Sequence, residues 1–198
     1  MWNQAEEFFR KNKHIGPLVQ KWGSCTIRPI KKSQYFQDLV EAVTNQQLSG
    51  KAASTIFGRV RILCKTRISP EAILNLSDLD LRTAGLSFAK VKYIKDLASR
   101  VKNGVLDLDK LPNLTDEEIV KELVAVKGIG RWTAEMFLMF GLARPDVFPV
   151  DDLGIKKGFE KVTGRKWDKI KSARLAEKTW SPYRTVASWY LWRSLENR

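Results

Sequence analysis

A chain of 198 residues can bury a sizeable core without disulfide or metal staples, and with 43% hydrophobic and 29% charged residues it reads as globular rather than disordered. Thirty-five Lys and Arg against 22 Asp and Glu leave a net charge of +13. Neutralising phosphates with such side chains releases condensed counterions, so the expected partner is a polyanion. No apolar run approaches the roughly 20 residues that span a bilayer, and no lipidation signal is present. The opening Met1-Trp2-Asn3-Gln4-Ala5-Glu6-Glu7 lacks the basic-then-apolar layout of a secretory signal. No membrane partner is expected, and the location expected is intracellular, in cytoplasm and nucleoid or in nucleus.

In chain order, the only plausible extended stretch is Ser24 to Ile30; elsewhere helical spacing recurs. Gln34 to Gln46 carries Phe36, Leu39, Val40 and Val43 on one helical face, and Ala52 to Cys64 carries Ile56, Val60 and Leu63. Gln47-Leu48-Ser49-Gly50 joins the two. Ser69-Pro70 and Ser181-Pro182 each place a capping hydroxyl before a proline suited to the first helical position. Thr115 with Glu118 forms a capping box ahead of Ile119, Leu123 and Val126. Gly85 and Gly128 punctuate helix ends. No internal repeat or low-complexity linker divides the chain, so a single domain over 1–198 is expected, and a monomer.

The residue types narrow the chemistry. Cys25 and Cys64 are the only cysteines, which excludes an iron–sulfur cluster held by four thiolates. Two buried free thiols are expected, with a disulfide between them left open. His14 is the sole histidine, so a His-based triad or zinc site has almost nothing to work with. Chemistry falls to carboxylates, Lys, Tyr or backbone.

Residues 119–140 read as a hairpin: a helix, the tight turn Lys127-Gly128-Ile129-Gly130, then a helix from Trp132 to Phe140. Gly128 and Gly130 allow positive φ and close approach by another backbone. Ile129 can plug the core. A helix beginning near Gly130 points its first N–H groups outward with the positive end of its dipole behind them, which seats a phosphate without regard to base sequence. Lys127 and Arg131 flank that seat. A plain helix-to-helix turn is the alternative, and the hairpin alone does not decide between them.

Downstream, Val147-Phe148-Pro149-Val150-Asp151-Asp152-Leu153-Gly154-Ile155 follows the hairpin, and here the sequence resembles the helix-hairpin-helix (HhH-GPD) DNA glycosylase superfamily, in its alkylated-base or 3-methyladenine branch. Three further segments carry the resemblance: Thr44 to Ala53 with its Gln46-Gln47-Leu48-Ser49, Leu81 to Ile94 with Gly85-Leu86-Ser87 and Lys90, and Trp180 to Arg193. The stretch before about Gln34 adds little. The resemblance implies an all-α fold of two helical lobes flanking a DNA-binding cleft, without an extra N-terminal domain. It places the catalytic carboxylate at Asp152, three residues before the apolar Ile155, and leaves Asp151 as a helix cap.

What that carboxylate would do is fixed by the bond it faces. Breaking an N-glycosidic bond builds positive charge on the deoxyribose, which a carboxylate stabilises or turns to use by orienting a water. Family members that also cut the backbone carry a Schiff-base lysine two residues after the final hairpin glycine, where this chain has Trp132. The resemblance therefore implies monofunctional hydrolysis of duplex DNA containing damaged bases such as 3-methyladenine and 7-methylguanine, with no cofactor. A monovalent cation on hairpin carbonyls is implied by resemblance alone.

The base must leave the stack before it is cut. Leu48 is the candidate wedge, with a core leucine as the alternative. Gln46 and Gln47 are open between contacting the opposing bases and capping a helix. Trp132 and Trp192 are the candidate faces for electron-poor, N-alkylated purines. Tyr93, Met136, Trp189 and Tyr190 are open between pocket and core, and of these Met136 is taken as a substrate contact. Gln47, Leu48, Ser49, Lys127, Gly128, Gly130, Arg131 and Thr133 form the candidate DNA contacts. The competing functions are a non-catalytic DNA-binding module and a bifunctional enzyme acting through an imine.

Overall fold

The computed structural model describes residues 1–65 and 67–196, and every regular element among them is helical. The helices are α1 (Asn3–Arg10), α2 (Gly16–Trp22), α3 (Tyr35–Asn45), α4 (Gly50–Leu63), α5 (Pro70–Asn75), α6 (Asp78–Thr83), α7 (Phe88–Lys102), α8 (Asp116–Val124), α9 (Arg131–Met136), α10 (Leu153–Thr163), α11 (Lys169–Trp180) and α12 (Arg184–Ser194). Short turns of 3₁₀ helix at Lys32–Gln34 and Leu111–Asn113 and a π turn at Phe137–Gly141 complete the list.

Ser24 to Ile30 forms no strand. Its backbone finds a side chain instead: Glu6 accepts the Cys25 N–H at 3.1 Å and the Ser24 hydroxyl at 3.1 Å. Several helix starts follow from local chemistry. Ser69 accepts from the Ala72 N–H at 3.1 Å with Pro70 at the first helical position, and Thr115 with Glu118 closes a reciprocal box on α8. Ser181 does not behave like Ser69. Its hydroxyl donates to Asp146 at 2.8 Å, and α12 starts only at Arg184, whose N–H is taken by Asp146 at 3.1 Å. A carboxylate from a distant loop has replaced the local hydroxyl as the partner of this helix start.

The chain divides into two compact units. The first joins Met1–Pro29 to Leu138–Arg198, so the N-terminal stretch completes a unit whose other helices come from the far end of the chain. Phe9, Ile15, Ile155, Phe159, Trp180 and Tyr190 fill its core. Edge-on contacts among Phe148, Phe159, Trp167 and Trp180 hold the aromatic part. The Tyr190 hydroxyl donates to Gly23 O at 2.8 Å, and desolvation pushes its pKa well above the usual range. Helices α10 and α12 meet at Gly158, where a Cβ would fall 2.5 Å from Leu191 O. Cys25 is a buried free thiol of this unit, and desolvation raises its pKa to about 11.

The second unit, Ile30–Phe137, contains α3 to α9. Leu39, Val43, Val60, Ile73, Leu81 and Ile94 lie in its interior, and Cys64 is its buried free thiol. Tyr35 packs edge-on to Phe137 with ring centroids 5.3 Å apart.

Candidate active site and nucleic-acid interface

In the first unit, Asp152 is itself the N-cap of α10. Its Oδ1 accepts the Ile155 N–H at 2.8 Å, and the Trp192 indole N–H reaches the same oxygen at 2.8 Å. Asp151, expected to be the cap, is exposed and pairs with Lys169. The turn that puts Asp152 in the capping place is closed by its own N–H, which donates to Pro149 O at 3.0 Å. Gly154 makes the arrangement possible, since a Cβ there would lie 2.7 Å from Trp192 Cδ1 and 3.0 Å from Asp152 Oδ1. Phe140 stacks on Trp192 with centroids 5.8 Å apart.

The loop leading to Asp152 is held by the start of α12. Arg184 makes a two-pronged pair with Asp146 at 2.8 and 2.9 Å. Thr185 Oγ1 donates to Arg144 O at 2.6 Å and accepts the Val147 N–H at 3.0 Å. Burial pushes the Asp146 carboxyl up, but the hydrogen bonds from Arg184 and Ser181 outweigh it and hold the group below its ordinary range. Asp146, Gly154, Arg184 and Thr185 have no role legible in the sequence, because their partners lie across the unit; a lone Asp and a lone Arg about 40 residues apart carry no periodic signal.

In the second unit, the hairpin runs from α8 through Lys127 to Gly130 into α9. Gly128 has φ of +79°, and a Cβ there would fall 2.1 Å from the Tyr93 ring. Gly130 does not use a positive φ; at −92° it is the N-cap of α9 and carries no capping side chain. The first amides of α9 therefore receive no hydrogen bond from a capping side chain at Gly130. Thr133 has a buried side chain. Lys127 is exposed, its N–H donating to Asp96 at 3.0 Å. The Arg131 guanidinium lies against Glu117 at 2.8 Å and Glu135 at 3.1 Å. Ile129 is buried, as a hairpin plug should be.

Gln47, Leu48, Trp132, Thr133 and Met136 line one cavity of about 690 Å³ within this unit, together with Asn45 and Gly130. Leu48 is 36% exposed, which excludes a buried core leucine, and Trp132 is 43% exposed. Trp189 and Tyr190 are core residues of the first unit, while Tyr93 supports the hairpin glycine. Ser49 is the N-cap of α4 by its backbone, with an exposed side chain.

A model of the HhH-GPD superfamily of base excision DNA repair proteins matches residues 40–182, which include the hairpin, Leu48 and Asp152. The chain belongs to this superfamily. Among its relatives is a putative DNA-3-methyladenine glycosylase of Bacillus subtilis, 36% identical over 99% of this chain and 75% of that one. The DNA-3-methyladenine glycosidase of Bacillus halodurans superposes with a TM-score of 0.86 at 36% identity, covering 97% of this chain and 88% of the other. The 3-methyladenine DNA glycosylase of Schizosaccharomyces pombe, solved in complex with abasic DNA, also reaches 0.86, at 32% identity over 97% of this chain and 96% of its own. As an HhH-GPD protein, the chain carries the hairpin expected of the fold, and no helix among its described residues is long and apolar enough to cross a membrane.

Proposed function

We propose that the protein is a monofunctional DNA glycosylase that excises N-alkylated purines from duplex DNA and leaves an abasic site. The observation that carries this is Asp152: a carboxylate oriented by Ile155 and Trp192 at a helix N-terminus, in an HhH-GPD chain whose relatives bear the names of 3-methyladenine DNA glycosylases. The reaction breaks the bond between C1′ and the purine nitrogen, whose electron pair leaves with the base. Water supplies the oxygen that bonds to C1′, and its proton is released. Asp152 stabilises the positive charge that develops on the sugar and orients that water. An N-alkylated purine already carries positive charge and departs neutral, so the site needs no strong acid.

The remaining residues take parts consistent with their places. The first amides of α9, with Gly128, Gly130, Thr133 and Lys127, anchor a backbone phosphate, and Arg131 shares its charge between that surface and its two carboxylates. Leu48 fills the gap left by the extruded base, with Gln47 and Ser49 beside it. Trp132 and Met136 offer an electron-rich and polarisable wall to the base. Trp192 serves first as the holder of Asp152. Trp132 stands where a lyase needs its amine, which supports hydrolysis alone. The reading needs no cofactor and routes no step through a cation at the hairpin.

The test is incubation with duplex DNA treated with a methylating agent. Free methylated purines should appear while the strand stays whole until alkali is added, and borohydride should trap no covalent adduct. Binding to abasic DNA with no base release would establish a non-catalytic module instead, and a trapped adduct would establish a lyase.

A further inference from the structure

Helix α7 places Lys90, Tyr93 and Asp96 at intervals of three, so they share one face. Lys90 reaches the end of α3 that leads into the Leu48 loop, and Tyr93 and Asp96 reach the hairpin. Lys90 Nζ donates to Thr44 O at 2.8 Å and to Gln46 O at 2.7 Å, at the C-terminal end of α3, where unsatisfied carbonyls and the negative end of the helix dipole favour an ammonium. The Tyr93 ring occupies the space over Gly128, and Asp96 accepts the Lys127 N–H. Gln46 closes the circuit, its Nε2 donating to Gly128 O at 2.9 Å.

Immediately after these fixed points comes Gln47, with φ of +57°. That left-handed region is costly for any residue with a Cβ, and such a conformation persists only where its surroundings hold it. Leu48 follows, on the wall of the cavity. The groups that could hold the strained turn are the ones just named.

We propose that Lys90 is a positioning residue for base flipping. Its ammonium ties down the last turn of α3 so that Leu48 stands in its inserting position before DNA arrives. Through Tyr93 and Asp96, α7 makes the wedge loop and the phosphate-anchoring hairpin one rigid piece. Gln46 is then a strut between the two and not a reader of the opposing base. A wedge ordered in advance adds no ordering cost at the moment of binding, so the binding free energy goes to unstacking the lesion. The inference rests on the reading of the chain as a glycosylase with Leu48 as its wedge.

The experiment measures single-turnover release of a methylated purine by the wild type, Lys90→Met, Lys90→Arg, Leu48→Ala and the Lys90→Met/Leu48→Ala double variant. Two duplexes are compared: one with the lesion normally paired, the other with the lesion opposite an abasic-site analogue, where there is little pairing to undo. Lys90→Met should be slower by about tenfold on the paired lesion and within about twofold of wild type on the unpaired one. Leu48→Ala should show the same split, the double variant should lose no more than either single, and Lys90→Arg should recover most of the rate. Equal slowing on both duplexes would reduce Lys90 to a structural role and overturn the proposal, as would an unchanged rate on the paired lesion. Absence of release by the wild type on either duplex would instead overturn the glycosylase reading.

Discussion

At Asp152 one carboxylate oxygen receives both the Ile155 N–H and the Trp192 indole N–H, and Gly154 leaves the space that lets the indole approach. Gly154→Ala should push the indole away and cost about a hundredfold in single-turnover base release, the order expected of a misplaced catalytic group, with affinity for abasic DNA unchanged. The acidic pair is visible in the sequence, but which of the two caps α10 is not: Asp151 and Asp152 are equally good caps, and only the turn closed by Pro149 O decides which side chain faces the helix. Asp38 carries a different lesson. Desolvation, reinforced by Glu41, raises its pKa to about 6. Because the folded value lies above the ordinary 3.8 of an aspartate, folding favours the protonated form. That stability is fully present below pH 3.8 and is lost as pH rises through about 6. Asp38→Asn should therefore stabilise the protein at pH 8 by about 1–2 kcal/mol relative to its effect at pH 4, read from thermal melts at the two values.

Among the elements, those with chemistry written into neighbouring residues were legible. Thr115 with Glu118 and Ser69 with Pro70 each announce a helix start through partners three or fewer residues away. Ser181 carried the same local pattern and behaved otherwise, because Asp146 reaches it from a distant loop. The packing of α10 on α12 was also beyond sequence reading, since Gly158 looks like any mid-helix glycine until Leu191 O is set against it. Gly158→Ala should cost about 1–3 kcal/mol by overpacking this contact, measured as a fall in denaturant midpoint at constant slope. A loss below a few tenths would mean that α10 can shift freely along α12.

For the molecule as a whole, composition pointed to the partner before any motif did. A net charge of +13 and a hairpin whose second helix starts on Gly130 without a capping side chain both predict binding dominated by phosphates. Affinity for undamaged duplex should fall by at least about tenfold between about 50 and about 200 mM salt, as fluorescence anisotropy would show, and a flat response would contradict phosphate anchoring. What composition did not reveal is that residues 1–29 close the first unit around Trp2, Phe9, Ile15 and Ile27, because helices from opposite ends of a chain leave no shared period to read. If the carboxylate of Asp152 performs the excision, Asp152→Asn is the deciding variant on duplex DNA bearing a methylated purine, scored for base release and for binding to an abasic-site duplex. Release should be slower by at least about a hundredfold, with binding retained within about threefold. Release at the wild-type rate would exclude that role for Asp152.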